Sequence, residues 1–293
     1  MTNTTTTNTA GTAGSTATRT VLVLGGTGKT GRRVADRLRR HDDLTVRIGS
    51  RRAEPSFDWT EPAGWAAALA GCDAVYLSYQ PDLAVPGSVG DITEFCRQAK
   101  LAGVRRIVLL SGRGEPEARA CEQVVEQSGI EHTILRCSWF MQNFSEDYLL
   151  DGVLAGEVVL PATEVPEPFV DADDIADVAV AALLEDRHKN QLYELTGPRS
   201  ITFAEAVRET TRATGRKINY ITVPLDDYLA QLATYGVPDE VGQLLGYLFG
   251  TVLDGRNAEP VDGVRQALGR EATSFADFAG RTAGTGVWDE VAR

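Results

Sequence analysis

The segment Gly25-Gly26-Thr27-Gly28-Lys29-Thr30-Gly31 sets three of its glycines three apart, directly after the apolar run of residues 21–24 and directly before a basic helical stretch. That spacing suits one kind of chemistry, the holding of a diphosphate by the main chain. Gly25 permits a tight turn, Gly28 lets a phosphate approach the backbone, and Gly31 lets the helix pack closely on the strand. The free N–H groups of the first helical turn then face the anion, where the helix dipole favours negative charge. A glycine-rich turn between strand and helix can also be purely structural, so its context decides. It is not a P-loop, because no glycine stands five places before Gly28.

Which dinucleotide such a turn accepts is set at the end of the next strand, where an acid grips a ribose hydroxyl and an arginine accommodates a 2′-phosphate. Here "LTVRIGSRR" ends in Ser50-Arg51-Arg52. A guanidinium fork matches phosphate geometry, so the pair favours NADPH over NADH; the competing reading is a solvated basic loop. Lys29 adds a second positive charge inside the turn.

These residues need a scaffold, and the hydrophobic pattern supplies one. Residues 21–24 are apolar without alternation, as in a parallel strand covered on both faces. In the helix that follows, Thr30, Val34 and Leu38 recur four apart, while Arg32, Arg33, Arg37 and Arg39 take other positions. "LTVRIG", "CDAVYLS", "RRIVLLSG", "EHTILRC" and "QLYELTG" read as further strands, with "DITEFCRQAKLAG", "EARACEQVVEQSG" and "DADDIADVAVAALLED" as helices among them. Ile92, Phe95, Cys96, Ala99 and Gly103 fall at helical spacing, and Asp171 or Asp173 caps the last helix. The alternation predicts an α/β fold with a doubly wound parallel sheet of the Rossmann kind. Past Cys137 it loosens into an aromatic helical excursion and, after Pro198, into short helices. The expected organisation is a disordered tail over 1–18 and a nucleotide-binding core over 19–138, with 168–197 returning to the sheet. A smaller, mostly helical substrate lobe takes 139–167 and 198–293.

Composition narrows the partners. The chain has 293 residues, with 29 Lys plus Arg against 41 Asp plus Glu, a net charge of -12. This argues against a broad nucleic-acid surface or an anionic membrane. The four cysteines form no C-x-x-C pair and the three histidines no i, i+4 pair, so neither a metal site nor a disulfide framework is expected. Cys72, Cys96 and Cys121 read as core residues, and Cys137, near a strand end, is the one able to approach a ligand. His132 and His188 look incidental. The amino-terminal run lacks an apolar core, and no stretch approaches about 18 consecutive apolar residues, so a cytoplasmic protein acting on a small molecule is expected. A homo-oligomer is allowed.

The chain resembles the NmrA-like branch of the atypical short-chain dehydrogenases, including its quinone-oxidoreductase-like and triphenylmethane-reductase-like members. The likeness covers most of residues 19–270. It is carried by "VLVLGGTGKTGRRV", "GCDAVYLS", "AGVRRIVLLSG", "SGIEHTILRCSWFMQNF", "FVDADDIADVAVAALLE" and "YELTGPRSITFAEA". The resemblance implies that Gly25, Thr27, Gly28, Lys29 and Thr30 line the diphosphate, that Arg51 meets the 2′-phosphate, and that Asp58 lies near the adenine. It also implies that Ser78, Tyr79, Ser111 and Gly112 border the ribose and nicotinamide, in keeping with the rule that ligands sit beyond the carboxyl ends of parallel strands.

The departure lies in the chemistry. Typical short-chain dehydrogenases carry a Tyr-x-x-x-Lys pair on the helix after the serine strand, the lysine tuning the tyrosine to protonate a carbonyl oxygen. Here that helix reads "EPEARACEQVVEQ", with neither residue. Two readings follow. In one, NADPH delivers hydride to a flat conjugated acceptor such as a quinone or polycyclic aromatic ketone. Ser111 and Tyr79 are then the candidate catalytic donors to the developing oxyanion. Trp139, Phe140, Phe144, Tyr148 and "LLGYLFG" at 244–250 either line its pocket or form the lobe's core. In the other, the chain binds NADP(H) without turnover and reports its redox state to a protein partner. Glu122 is a surface residue or a site residue; its place on the ligand-side helix is a hint of the latter.

Overall fold

The computed structural model describes residues 18–162 and 164–289. The tail expected over 1–18 lies outside them, apart from Thr18. The strands β1 (Arg19–Leu24), β2 (Leu44–Gly49), β3 (Ala74–Leu77), β4 (Arg106–Gly112) and β5 (Glu131–Cys137) lie in one sheet. After a short strand outside it, β6 (Glu157–Leu160), the chain returns through β7 (Gln191–Leu195). The sheet order is β2-β1-β3-β4-β5-β7, every pair parallel. The connections change direction between β1 and β3, which opens a crevice at the carboxyl ends of those strands.

The helices in chain order begin with α1 (Lys29–Leu38), α2 (Trp65–Leu69), α3 (Ser88–Leu101), α4 (Pro116–Gln127), α5 (Asn143–Glu146), α6 (Leu150–Ala155) and α7 (Ala172–Leu184). They continue with α8 (Phe203–Thr214), α9 (Leu225–Thr234), α10 (Asp239–Tyr247), α11 (Gly263–Leu268) and α12 (Phe275–Ala283).

Two helical layers explain why the strands show no alternation. Leu22, Leu24, Val75, Leu77, Ile107 and Leu109 pack with Trp65, Ile92, Phe95, Ala118 and Val125 of α2, α3 and α4. Val21, Val23, Ala74, Tyr76, Val108 and Leu135 point the other way, to Val34 and Leu38 of α1 and to Ile175, Val178 and Ala182 of α7. Each fully buried aliphatic side chain contributes about 1.5–3 kcal/mol, so a polar residue at either parity is costly. The arginines of α1 dock it to its neighbours: Arg33 pairs with Glu146 and Asp173, and Arg37 with Asp173 and Asp177.

The glycine turn follows the same logic. Gly25 has a φ of +63°, in the left-handed region, and Gly28 N–H donates to its carbonyl at 2.8 Å. A Cβ at Gly31 would run into the Gly25 carbonyl, so α1 sits on β1 only with glycine there. Gly31→Ala is expected to lower stability by about 1–3 kcal/mol, read as a drop in the urea midpoint; an unchanged midpoint would contradict the packing role.

Several expectations shift. Asp171, not Asp173, caps α7, its carboxylate accepting the Asp173 N–H at 2.9 Å. Gly103 lies past the end of α3 with a φ of +82°, so it closes the helix and is not part of its face. Phe144, Phe203, Phe249, Phe275, Phe278 and Trp288 of the lobe form a core of their own, and Phe169, from the segment expected to return to the sheet, packs there as well. The lobe also contains a two-stranded parallel sheet of β6 and β8 (Asn219–Thr222). And α11, from a segment assigned to the lobe, packs on the main sheet through Val264 and Ala267, because Gly263 admits the Glu194 backbone where a Cβ would collide with it. Among the described residues no helix is long and apolar enough to cross a membrane, and no group of three or more His, Cys, Asp or Glu could hold a metal ion.

Candidate cofactor and substrate cleft

A cleft of ≈ 530 Å³ opens at the switch point, within the range usual for small-molecule and cofactor sites. Gly25, Thr27, Gly28, Lys29 and Thr30 line one end. Ser78 and Tyr79 after β3, and Ser111 and Gly112 at the end of β4, line its floor. Nine of the eleven residues expected at a cofactor thus border one cavity. Arg51 and Asp58 do not line it. Arg51 is exposed at the end of β2, and its charge, together with the Thr60 hydrogen bonds that act more strongly, holds the Asp58 carboxyl below the usual range. Asp58 caps a local turn, accepting from Thr60 N–H and Oγ1 at 2.9 Å each, while its carbonyl takes the Trp65 indole at 2.6 Å.

The turn fits a diphosphate on the chain's own evidence. Gly28 is the N-cap of α1 and supplies no side-chain acceptor, and the first turn carries no acid. The N–H groups there are left for an anion. A Cβ at Gly28 would have one near neighbour, the Gly25 carbonyl oxygen at 3.3 Å, and otherwise open space. The Lys29 ammonium is held by Asn143 Oδ1 at 2.8 Å and by Asp147, and lies 5.8 Å above the Phe140 ring. It thereby ties the turn to the lobe.

The aromatics divide. Trp139, Phe140 and Tyr148 line the cleft with Leu244, Leu245 and Leu248, whereas Phe144 and Phe249 are buried in the lobe's core. The Tyr247 hydroxyl donates to Glu117 Oε2 at 2.9 Å, so α10, which lines the cleft through Leu244 and Leu245, is tied to α4. Cys137 borders the cleft, and all four cysteines are free and buried.

Both candidate catalytic hydroxyls have their hydrogens committed. Ser111 Oγ donates to Glu122 Oε1 at 2.7 Å, and Tyr79 Oη to Asp91 Oδ2 at 2.6 Å. Burial, then Asp91, raises the Tyr79 pKa. Each hydroxyl therefore offers the cleft lone pairs in this arrangement, not a proton. Glu122 is fully buried. Burial pushes its carboxyl up, but hydrogen bonds from Arg136, Ser111 and Arg119 outweigh that and hold it below the usual range. It is a buried anchor for Ser111, resolving the choice between surface and site.

Asp82, Arg113, Glu115 and Asn257 also line the cleft and were not anticipated. The available signal was position: Asp82 and Glu115 stand just beyond the carboxyl ends of β3 and β4, where ligands collect.

The fold and turn define a class, the NAD(P)H-binding proteins of Rossmann type, and residues 25–186 match the family model described as NAD(P)H-binding. Residues 118–279 match the model of the NmrA-like family, to which this chain belongs. The NAD(P)H azoreductase of Xenophilus azovorans is 31% identical, over 88% of this chain and 96% of that protein. The NADPH-dependent quinone oxidoreductase of Escherichia coli, solved with NADPH, has a TM-score of 0.74 at 21% identity and covers 89% of this chain and 99% of its own. The triphenylmethane reductase of Citrobacter sp., solved with NADP(H), has a TM-score of 0.72 at 20% identity, covering 90% and 99%.

Proposed function

We propose that this chain is an NADPH-dependent reductase that transfers hydride to a conjugated small-molecule acceptor such as a quinone or polycyclic aromatic ketone. The oxidoreductase class is that of its named relatives. The observation that carries the reading is that a diphosphate-ready turn and an apolar, aromatic wall share one cleft. NADPH, when bound, supplies the hydride. The chain's residues do the rest. The α1 N-terminus and Lys29 take the diphosphate, and Ser78, Ser111 and Gly112 border the ribose and nicotinamide. Trp139, Phe140 and Tyr148 face a flat acceptor, while Tyr247 ties α10 to α4 through Glu117. A cytoplasmic site of action fits the free cysteines, and no nucleic-acid partner is needed.

Arg51 carries the choice of cofactor in this reading. It lies exposed just past the carboxyl end of β2, outside the cleft's lining, on the side where a 2′-phosphate is expected. Arg51→Ala is expected to weaken NADPH about 10- to 100-fold, the worth of a charge-assisted contact, and NADH little. Fluorescence titration with both cofactors checks this, and equal losses would contradict it. The reductase reading itself is tested by adding NADPH and a panel of quinones and aromatic ketones to purified protein and following nicotinamide absorbance.

A further inference from the structure

We propose that Glu115, paired with Asp82, is the acid that protonates the acceptor as it is reduced. The inference rests on the reductase reading and assigns the proton donor that it leaves open. Ser111 and Tyr79 spend their hydrogens on carboxylates, and α4 has neither tyrosine nor lysine. Asp82 and Glu115 both line the cleft. Their loops leave adjacent parallel strands at the sheet's carboxyl edge, which sets the two acids in one cleft, close enough for each to act on the other's charge. Two neighbouring carboxylates in a partly buried site resist double ionisation, so the pair keeps a proton.

The place is built for Glu115. Its carboxyl lies against Gly112, where a Cβ would collide with it, so glycine at the end of β4 is what admits the acid beside the expected nicotinamide position. Its Oε2 is buried, and no donor among the described residues reaches it. An oxygen so placed is satisfied by carrying a proton. The charged and titratable groups that act on it are Asp82 from the β3–α3 loop, Glu117 and Glu122 from α4, and the Tyr247 hydroxyl from α10. Burial first, then Asp82, pushes Glu115 up to about 9. The acid is therefore protonated at neutral pH and loses its proton on the alkaline side.

As the acceptor takes two electrons with the hydride of NADPH, which leaves as NADP⁺, the Glu115 O–H bond breaks. Its proton bonds to the acceptor's oxygen, and water returns one proton to the pair afterwards. A carbonyl acceptor such as an aromatic ketone needs this proton. A cationic triarylmethane dye, which takes hydride on carbon and becomes neutral, does not.

The test compares these two acceptors in the NADPH-loaded protein. Glu115→Gln is expected to lower ketone turnover relative to dye turnover about 100-fold, the scale of a positioned acid; equal loss with both acceptors overturns the proposal. Difference infrared spectroscopy at neutral pH, without cofactor, is expected to show a protonated carboxyl band that Glu115→Gln removes, and its absence overturns the proposal as well. Asp82→Asn preserves shape and removes the charge that helps hold the proton, so the alkaline fall of ketone turnover should move to lower pH; an unmoved profile contradicts the pairing. A wild-type protein inert toward both acceptors and toward quinones as well would sink the reductase reading, and this proposal with it, an outcome distinct from equal impairment.

Discussion

Gly28→Val is expected to abolish measurable binding of NADPH and NADH alike while leaving the protein folded. The backbone at Gly28 has φ −84° and ψ −180°, ordinary extended geometry for any L residue. The near neighbour of an added Cβ is the Gly25 carbonyl oxygen at 3.3 Å, which a small shift accommodates. The rest of the isopropyl group must then occupy the space in front of the first turn of α1, where the diphosphate would sit. Both cofactors share that group, so both lose at least about 100-fold, or 2.7 kcal/mol. The cost to the fold is that of a poor N-cap, about 1 kcal/mol. Titration by nicotinamide fluorescence and a thermal scan on the same sample check the two halves. Gly31→Ala should give the opposite pattern, because its added carbon meets main chain and not open cleft.

Glu122→Ala carries the largest expected stability loss. The carboxylate is fully buried and receives Ser111, Arg136 and Arg119. Arg136 also reaches Glu194, which takes Arg113 in turn. Truncating Glu122 leaves Arg136 desolvated and short of its main partner, and breaking a buried pair in this way costs about 3–5 kcal/mol. Urea unfolding checks it, and a loss near zero would mean the network is slack. Because the Glu122 pKa is lowered in the fold, its contribution is fully present above the ordinary carboxylate range. It is lost as pH falls through the lowered value, so the wild type should lose stability in acid more steeply than Glu122→Gln. Glu122→Ala also frees the Ser111 hydroxyl, changing what it presents to the cleft.

The core of this account was legible in the sequence because its physics is local. An unalternating run such as residues 21–24 fits a strand buried on both faces, and glycines at 25, 28 and 31 each have one mechanical use, visible from spacing alone. The lobe was less legible. β6 and β8 are four residues each and pair across a long intervening segment, so no short-range period marks them. α11 follows lobe helices in sequence, yet its six residues belong to the sheet's core, which only the close approach at Gly263 decides. Among the aromatics, Trp139 and Phe144 look alike in sequence; the fold turns one to the cleft and buries the other. The candidate site shows the same limit. Ser111 and Tyr79 were visible as strand-end hydroxyls, but Glu122 and Asp91, which accept their hydrogen bonds, are set by helix orientation. Asp82 and Glu115 are ordinary acids in the sequence until two loops bring both to one cleft.

The central claim is that NADPH bound at the β1 turn passes its hydride to an acceptor held by the lobe. The most direct measurement is a single turnover: protein saturated with one equivalent of NADPH is mixed with a quinone, and nicotinamide absorbance is followed in wild type and Gly28→Val. The account predicts full, rapid oxidation in the wild type and none in the variant. Tight binding of NADPH that persists unoxidised across the acceptor panel would contradict it and leave a redox sensor in its place.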